Sequence, residues 1–218
     1  MGELKLNIII MGAQGSGKDT QGERLASVLK IPLVTSGDVF RAIAKENSPR
    51  GKEVKKLLDS GNLGSDEMIN GFIKERLLQE DCKKGFILNG YPRNLNQVRF
   101  LDSTIKIEKV VVLDIAEKVA IERISSRRVC KKCNASYNLK TMPPHMEGMC
   151  DRCGEELVQR EDDHPSAIKK RLQIYHEKTT QIINYYKKKH LVVKVDGAKP
   201  IEEVQKGLLR LLRARKKK

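Results

Sequence analysis

The chain has 218 residues, of which 43 are lysine or arginine and 28 are aspartate or glutamate, so its formal net charge is +15. That length suits one domain with insertions or two small domains, and no stretch approaches the roughly 20 apolar residues of a membrane-spanning helix. The basic excess favours anionic ligands, whereas the absence of tryptophan, with five tyrosines and four phenylalanines, argues against a surface that stacks nucleic-acid bases.

The start of the chain and its cysteines both point to a reducing compartment. Met1–Lys5 lacks the basic, apolar and small-residue order of a secretory signal peptide, so a cytoplasmic protein is expected. Four of the five cysteines occur in closely spaced pairs, which in such a protein indicates a metal site rather than disulfides.

The first motif is a glycine-rich loop, Gly12–Thr20, that follows an apolar strand-like run over Leu4–Met11. Glycines let successive backbone N–H groups point inward, the following helix N-terminus adds positive partial charge, and Lys18 adds a full charge, so the loop is a candidate phosphate site. Asp19 stands where the usual pattern has a serine or threonine that contacts Mg²⁺, and the nearest hydroxyl is on Thr20. A flexible linker is the alternative, but the strand and helix context favours the phosphate loop.

Strands and helices alternate from this loop to residue 114. Apolar periodicity predicts helices over Lys18–Lys30, from Ser36, over Lys52–Leu58, from Ser65 and over Asn94–Leu101, and strands over Ile31–Thr35, Gly85–Asn89 and Lys109–Asp114. This order is typical of a parallel sheet covered by helices. Since ligands of such sheets bind beyond the carboxyl ends of the strands, Asn89 and Arg93 are candidate site residues.

The next predicted helix carries the segment ERISSRR from Glu122. Arg123 and Arg127 are four residues apart and would share one face of that helix. Two guanidinium groups so placed repel each other unless an anion lies between them, so the pair is a candidate anion site. A solvated basic face is the alternative.

Four cysteines follow in the arrangement C-x₂-C, sixteen residues, C-x₂-C: Cys130, Cys133, Cys150 and Cys153. Each pair suits a tight knuckle, and four thiolates fill the tetrahedral shell of Zn²⁺ without an open position, so a structural rather than catalytic site is predicted. His145, between the pairs, is expected to be a surface loop residue, and Cys82 an ordinary thiol.

The rest of the chain is predicted to return to the sheet. Gln159–Pro165 is interpreted as a linker ending in a helix cap, and the following helix runs to about Lys189 and contains Arg171. Leu191–Asp196 is the last predicted strand and Ile201–Leu212 the last helix. A basic, frayed tail is expected after it.

In their order these motifs resemble the adenylate kinase family, in its long form whose lid holds a structural zinc ion. The resemblance covers nearly the whole chain. It rests on GAQGSGKDTQ from Gly12, TSGDVFRA from Thr35, GFILNGYPRNLNQ from Gly85, ERISSRR from Glu122, the four cysteines, REDD from Arg160, IKKRLQIYH from Ile168 and VDGAKP from Val195.

The resemblance implies an α/β fold of the P-loop NTPase type. A parallel five-stranded sheet flanked by helices would form the core (residues 1–35, 66–127 and 164–218). A small helical insertion over 36–65 would bind AMP, and residues 128–163 would form a zinc-ribbon-like lid. A monomer is expected.

The reaction implied is the reversible transfer of the ATP γ-phosphoryl group to AMP, giving two ADP, with Mg²⁺ bound to ATP. The implied ATP-binding residues are Gly15, Ser16, Gly17, Lys18, Asp19, Thr20, Arg123, Arg127, Ser136, Tyr137 and Lys199. The implied AMP-binding residues are Ser36, Gly37, Arg41, Asn62, Leu63, Gly64, Gly90, Arg93, Gln97, Arg160 and Arg171. The implied catalytic groups are Lys18, Arg93, Arg123, Arg160 and Arg171.

Two positions depart from the family pattern. The chain has Asp19 where the family usually has glycine, and Asn89 where it usually has an aspartate that helps to hold Mg²⁺ through water. One hypothesis is that Asp19 supplies the carboxylate that Asn89 lacks. The alternative is that Asp19 caps the helix and points away from the phosphates.

Two other functions are considered. A kinase for another nucleoside monophosphate, UMP or CMP, would share the phosphate loop, but the long lid and Gln97 favour AMP by resemblance. A basic zinc-ribbon ATPase associated with nucleic acid is suggested by the net charge and the lysine-rich tail, which could add a salt-sensitive association. The expected ligands are ATP, AMP and ADP, with no membrane or nucleic-acid partner.

Overall fold

The structure, a computed structural model, describes residues 5–60, 64–160, 163 and 165–214. Its strands, numbered along the chain, are β1 (Leu6–Gly12), β2 (Leu33–Thr35), β3 (Gly85–Asn89), β4 (Lys109–Asp114), β5 (Arg127–Cys130), β6 (Ser136–Asn138), β7 (Leu157–Val158) and β8 (Val192–Asp196). Five of them form a parallel sheet in the order β2-β3-β1-β4-β8, which confirms the predicted fold class.

The helices lie mainly between the strands of this sheet. They are α1 (Lys18–Leu29), α2 (Ser36–Ile43), α3 (Pro49–Asp59), α4 (Asp66–Leu77), α5 (Leu95–Thr104), α6 (Glu117–Ser125), α7 (Pro165–Ile174), α8 (Thr180–Lys188) and α9 (Ile201–Ala214). No helix among the described residues combines the length and the apolar character that crossing a membrane requires.

Most predicted boundaries agree with these to within a few residues. The helix predicted over Lys52–Leu58 starts earlier, at Pro49, because Ser48 caps it by accepting a hydrogen bond from the Gly51 N–H group. The long helix predicted to about Lys189 is interrupted by a π-helical turn over Tyr175–Thr179 that joins α7 to α8. A short 3₁₀ turn over Glu80–Cys82 was not predicted.

Alternating side chains on the strands supply two apolar faces, because successive residues of a strand point to opposite sides. On one face Ile9, Leu88 and Val110 are fully buried and pack in a cluster with α4, α5 and α8. On the other face Ile8 and Val111 pack with α1 and α9. Burial on both faces explains why the strands read as continuous apolar runs.

The register of the sheet brings the carboxyl ends of its strands to one edge. Ile10 of β1 and Thr35 of β2 both pair with Asn89 of β3, and Asp114 pairs with Asp196. The loops that follow β1, β2 and β3 therefore start next to one another. This edge carries the candidate site, as predicted for a parallel sheet.

The segment with the four cysteines contributes a second, smaller sheet. Its strands run antiparallel in the order β6-β5-β7. Among the described residues, its apolar cluster consists of Cys130, Ala135, Tyr137, Cys150 and Leu157. So small a cluster provides little hydrophobic stabilisation by itself.

Candidate active site

The loop between β1 and α1 turns through glycines in the left-handed region of backbone conformation. Gly15 has φ +79° and Gly17 has φ +84°, values that side chains with a Cβ rarely adopt. A Cβ on Gly15 would also lie 2.9 Å from the carbonyl oxygen of Ala120. The turn directs the chain into α1 at Lys18, so the positive end of that helix faces the loop, as an anion site requires.

Two buried polar atoms of this loop lack a hydrogen-bond partner among the described residues. Ser16 is 2 % exposed, and its hydroxyl has no hydrogen-bond partner in the part of the chain that the structure describes. The same holds for Oε1 of Gln14. Buried polar groups are normally hydrogen-bonded, and a phosphate oxygen would supply the missing partner to Ser16.

Asp19 lies against Asn89, the last residue of β3. Asn89 Nδ2 donates a hydrogen bond to Asp19 Oδ1 at 2.5 Å. The residue that caps α1 is Gly17, which has no side chain to accept a hydrogen bond. Asp19 therefore does not cap the helix, and its carboxylate contacts the end of β3 instead.

Asp19 is ionised at neutral pH. Partial desolvation in the cleft raises the pKa of its carboxyl, but the charge of Lys18 and the hydrogen bond from Asn89 lower it, and Arg127 and Arg160 lower it further. The net effect is a pKa below the ordinary value for aspartate. The carboxylate is therefore a negative group among positive ones beside the loop.

A second group of predicted residues meets at the ends of β2 and β3. Ser36 Oγ donates to the carbonyl oxygen of Gly90 at 3.0 Å, and Arg93 Nε donates to the same oxygen at 2.8 Å. A Cβ on Gly90 would lie 2.7 Å from Ser36 Oγ, and its φ is +78°, so glycine is required there. This arrangement fixes the Arg93 guanidinium beside the start of α2.

Gln97 is held rigidly by polar neighbours. Its Oε1 accepts a hydrogen bond from the Arg93 N–H group at 2.7 Å, and its Nε2 donates to Asp66 Oδ1 at 2.7 Å. Asn94 Nδ2 donates to the same carboxylate, at 3.0 Å and 3.1 Å. Asp66 was missed by the sequence reasoning, which identified Ser65-Asp66 only as a helix start.

The other residues predicted to bind AMP lie in α2 or in the segment after α3. Arg41 forms an exposed ion pair with Asp38 at 2.5 Å. Its guanidinium covers Gly37, where a Cβ would lie 3.1 Å from Nη1. Gly64 has φ +72°. Asn62 and Leu63 lie outside the described residues.

The prediction that Arg123 and Arg127 share a helix face is wrong. α6 ends at Ser125, and Arg127 is the first residue of β5, where it pairs with Asn138. Arg127 Nε donates to Asp163 Oδ2 at 2.8 Å, and its Nη2 donates to Oδ1 of the same carboxylate, which is fully buried. The anion next to Arg127 is thus a carboxylate of the chain itself.

Arg123 connects the phosphate loop to the turn after β8. Its Nη1 donates to the carbonyl oxygens of Gly197 at 2.7 Å and Gly15 at 3.4 Å, and its Nη2 donates to that of Ala198 at 3.0 Å. Lys199 follows in the same turn and is exposed. Arg123 and Lys199 therefore lie on the β8 side of the loop.

The remaining predicted residues are distributed over three elements. Lys18 and Thr20 are in the first turn of α1, Ser136 and Tyr137 are in β6, and Arg171 is in α7. Arg160 is exposed, and its positive charge contributes to lowering the pKa of Asp19. The segment with the four cysteines also contacts α1, since Arg152 lies 3.4 Å from Glu23.

The four cysteines predicted to bind metal come together. Their sulfur atoms all lie within 4.8 Å of one another, and the Cys130–Cys153 and Cys133–Cys150 sulfur pairs are 3.5 Å apart. A tetrahedral ion with metal–sulfur bonds of about 2.3 Å needs sulfur separations of about 3.8 Å. The cluster therefore fits a four-coordinate metal ion.

The two knuckles of the cluster repeat the same backbone geometry. Asn134 and Gly154, each directly after a C-x₂-C pair, have φ +58° and +70°. Their N–H groups donate to the carbonyl oxygens of Cys130 and Cys150 at 3.1 Å and 2.8 Å. The repeated turn lets both cysteines of each pair face the centre of the cluster.

Tyr137 belongs to this cluster. It is 7 % exposed, its hydroxyl accepts a hydrogen bond from the Asp151 N–H group at 2.8 Å, and that hydroxyl lies 3.5 Å from Cys150 Sγ. The hydrogen bond from Tyr137 lowers the pKa of Cys150 to about 6, which favours a metal-binding thiolate. Any contact of Tyr137 with a nucleotide would therefore come from its backbone. His145 is exposed and does not join the cluster.

Comparisons with known proteins agree on one family. The family model described as Adenylate kinase matches residues 10–191. A protein of Fervidobacterium nodosum named Adenylate kinase is 41 % identical over 98 % of this chain and 100 % of its own length. Proteins of the same name from Caldanaerobacter subterraneus and Caldicellulosiruptor saccharolyticus are 40 % and 42 % identical over 95 % of this chain and over 96 % and 99 % of their own lengths.

The cysteine cluster leads to a test of metal content. We expect the purified chain to carry about one metal ion, and Cys150→Ser to lose it, because three thiolates and a hydroxyl bind such an ion poorly. Cys82→Ser is the matched control, since Cys82 is buried outside the cluster. Elemental analysis of both variants measures the effect. Equal metal content in the two variants would contradict a four-cysteine site.

Proposed function

The chain belongs to the adenylate kinase family, and from that premise we propose that it transfers the γ-phosphoryl group of ATP reversibly to AMP, giving two ADP, at the carboxyl edge of the sheet. The main support for this proposal is that two groups of residues able to bind anions follow neighbouring strands of the sheet. One is the glycine loop after β1, and the other is the Ser36, Gly90 and Arg93 group after β2 and β3.

The glycine loop is proposed as the site of the ATP phosphates. A triphosphate could accept hydrogen bonds from the N–H groups of the loop and from the hydroxyls of Ser16 and Thr20, and Lys18 would offset its charge. Arg123, which donates to carbonyl groups of Gly15 and of the turn at Gly197, would contact the ATP phosphates. Lys199, Ser136 and Tyr137 would border the adenine. The unpartnered hydroxyl of Ser16, within the described residues, supports this assignment.

The second group is proposed as the AMP site. Arg93 would bind the AMP phosphate, with Ser36 and Arg41 beside it, and Gln97 would face the adenine. The rigid position of Gln97 supports a role in base selection, because a fixed amide discriminates between hydrogen-bonding patterns better than a mobile one. Gly37, the segment Asn62–Gly64 and Gly90 would contribute backbone contacts.

Catalysis would depend on position and charge rather than on covalent chemistry. Lys18 in α1, Arg93 after β3 and Arg123 in α6 would surround the transferred phosphoryl group. Arg160 and Arg171 are proposed to complete the set, with Arg127 near the ATP phosphates. Positive groups fixed before the reaction stabilise the charge spread over the transferred phosphoryl group.

We also propose a division of the chain into three parts. Residues 1–35, 66–127 and 164–218 would form the core, 36–65 the AMP-binding insertion and 128–163 the lid. The antiparallel sheet of β5, β6 and β7 supports an independent lid. Such a lid would exclude water, which would otherwise compete with AMP for the phosphoryl group.

Two metal ions are proposed. Mg²⁺ would bind with ATP beside the loop, where Asp19 and the hydroxyls of Ser16 and Thr20 are the oxygen groups that this ion prefers, and it would offset phosphate charge there. Zn²⁺ would occupy the cluster of four cysteines and stabilise a lid whose apolar cluster is small.

The family supports these choices over the alternatives. The relatives from Fervidobacterium, Caldanaerobacter and Caldicellulosiruptor are all named Adenylate kinase, which favours AMP over UMP or CMP as the acceptor. The same names give no support to an ATPase associated with nucleic acid. A cytoplasmic monomer that binds ATP, AMP and ADP remains our proposal for the state in which the protein acts.

A coupled assay of ADP formation tests the proposed reaction. With ATP, AMP and Mg²⁺ we expect two ADP for each ATP consumed, and with CMP, UMP or GMP in place of AMP a lower kcat/KM. No ADP, or ADP formed equally well without AMP, would reject the phosphotransferase assignment. A higher kcat/KM with another acceptor would reject AMP.

Asp66 provides a test of how Gln97 is positioned. Asp66→Ala removes the acceptor of the Gln97 and Asn94 amide groups, so we expect KM for AMP to rise about tenfold while KM for ATP stays unchanged, the cost of about one hydrogen bond. Glu67→Ala, in the same turn of α4 and exposed, is the matched control. Equal KM values for AMP in the two variants would contradict the role of Asp66.

A further inference from the structure

The contact between Asp19 and Asn89 concerns the metal of the proposed reaction, and any role assigned to this pair rests on the proposed function. Mg²⁺ bound with a nucleotide usually keeps several waters and is held by one or two carboxylates of the protein. Asn89 ends β3 next to the phosphate loop. Its side chain is neutral and cannot supply such a carboxylate. A carboxylate is nevertheless present at that place, because Asp19 extends from α1 to within 2.5 Å of Asn89 Nδ2.

The surroundings of Asn89 indicate that the pair is open to a further ligand. Asn89 is 2 % exposed, and its Oδ1 has no hydrogen-bond partner within the described part of the chain. Asn89 Nδ2 donates its hydrogen bond to Asp19. This contact fixes the orientation of the amide and leaves Oδ1 available to accept a hydrogen bond. Since buried acceptors are normally hydrogen-bonded, a water molecule bound to a metal ion is a suitable donor for it.

The charges around Asp19 agree with a metal-binding role. The positive charges of Lys18, Arg127 and Arg160 act on Asp19 electrostatically, so the carboxylate lies in a positive environment. An aspartate at position 89 as well would place two carboxylates in direct contact, and like charges so close disfavour ionisation of both. One carboxylate and one amide at this place avoid that repulsion while keeping a hydrogen bond between them.

We propose that Asp19 holds the waters of the nucleotide-bound Mg²⁺, and that Asn89 positions its carboxylate and contributes Oδ1 to the same waters. Asp19 and Asn89 thus form one functional unit, in which the first turn of α1 supplies the carboxylate and the end of β3 supplies the amide. Exchanging the two residues should preserve the unit, whereas neutralising Asp19 alone should destroy it.

The test is a cycle of four proteins: the wild type, Asp19→Asn, Asn89→Asp and the double exchange Asp19→Asn with Asn89→Asp. The measured quantity is the affinity of each complex with a non-hydrolysable ATP analogue for Mn²⁺, determined from free Mn²⁺ by electron paramagnetic resonance. This readout does not require turnover. Glu23→Gln, which removes an acidic group of α1 that contacts Arg152 instead, is the control for loss of charge.

We expect Asp19→Asn to weaken Mn²⁺ binding at least about tenfold, as is typical when a group that orients metal-bound ligands is lost. The double exchange should recover most of that loss, and Glu23→Gln should bind as the wild type does. Unchanged Mn²⁺ affinity in Asp19→Asn would overturn the proposal. So would an equal effect of Asp19→Asn whether residue 89 is asparagine or aspartate, because independent sites add.

A folding defect would not be mistaken for a metal effect. Thermal unfolding of each variant is measured in parallel. If Asp19→Asn unfolds at the assay temperature, the double exchange decides: it must bind Mn²⁺ within about threefold of the wild type, and binding at least about tenfold weaker would overturn the proposal. Failure of the wild type to bind the ATP analogue would instead reject the donor-site assignment. The two failures are therefore distinguishable.

Discussion

Parallel pairing of β3 between β1 and β2 is the constraint on which the rest of the site depends. Asn89 pairs with Ile10 on one side and Thr35 on the other, so three chain segments leave the sheet at the same edge. The phosphate loop, the start of α2 and the Gly90–Arg93 turn are those segments. Residues far apart in sequence are thereby held within hydrogen-bonding distance, and their alignment follows from buried apolar strands rather than from the polar groups themselves.

The positive groups at this edge are fixed before any ligand arrives. Arg93 donates to the carbonyl oxygen of Gly90, Arg123 to that of Gly197, and Arg127 to the carboxylate of Asp163. Each guanidinium has five N–H donors, so donors remain for phosphate oxygens after these bonds are made. In the proposed reaction such preorganisation would lower the cost of stabilising the charge of the transferred phosphoryl group, and no nucleophile from the protein would be needed.

Features set by local pattern were predictable from the sequence, and features set by distant contacts were not. The glycine loop, the buried strands and the cysteine knuckles follow from spacing alone, and the structure contains all three. Arg127 was wrongly predicted to lie in a helix, because its spacing from Arg123 is also compatible with a helix. In the structure the helix ends at Ser125, and Arg127 belongs to β5, which pairs with β6. Asp66 and Asp163 were missed because their partners lie 31 and 36 residues away, and no local pattern marks a charged residue as the support of another.

We propose that one edge of the sheet binds two nucleotides, ATP at the loop after β1 and AMP beside Gln97. A crystal structure with a bisubstrate analogue, two adenosines joined by five phosphates, is the decisive experiment. We expect phosphates running from the loop at Lys18 to Arg93, with one adenine at Gln97 and the other near Lys199. Binding of a single adenosine, or of the second adenosine away from Gln97, would contradict it.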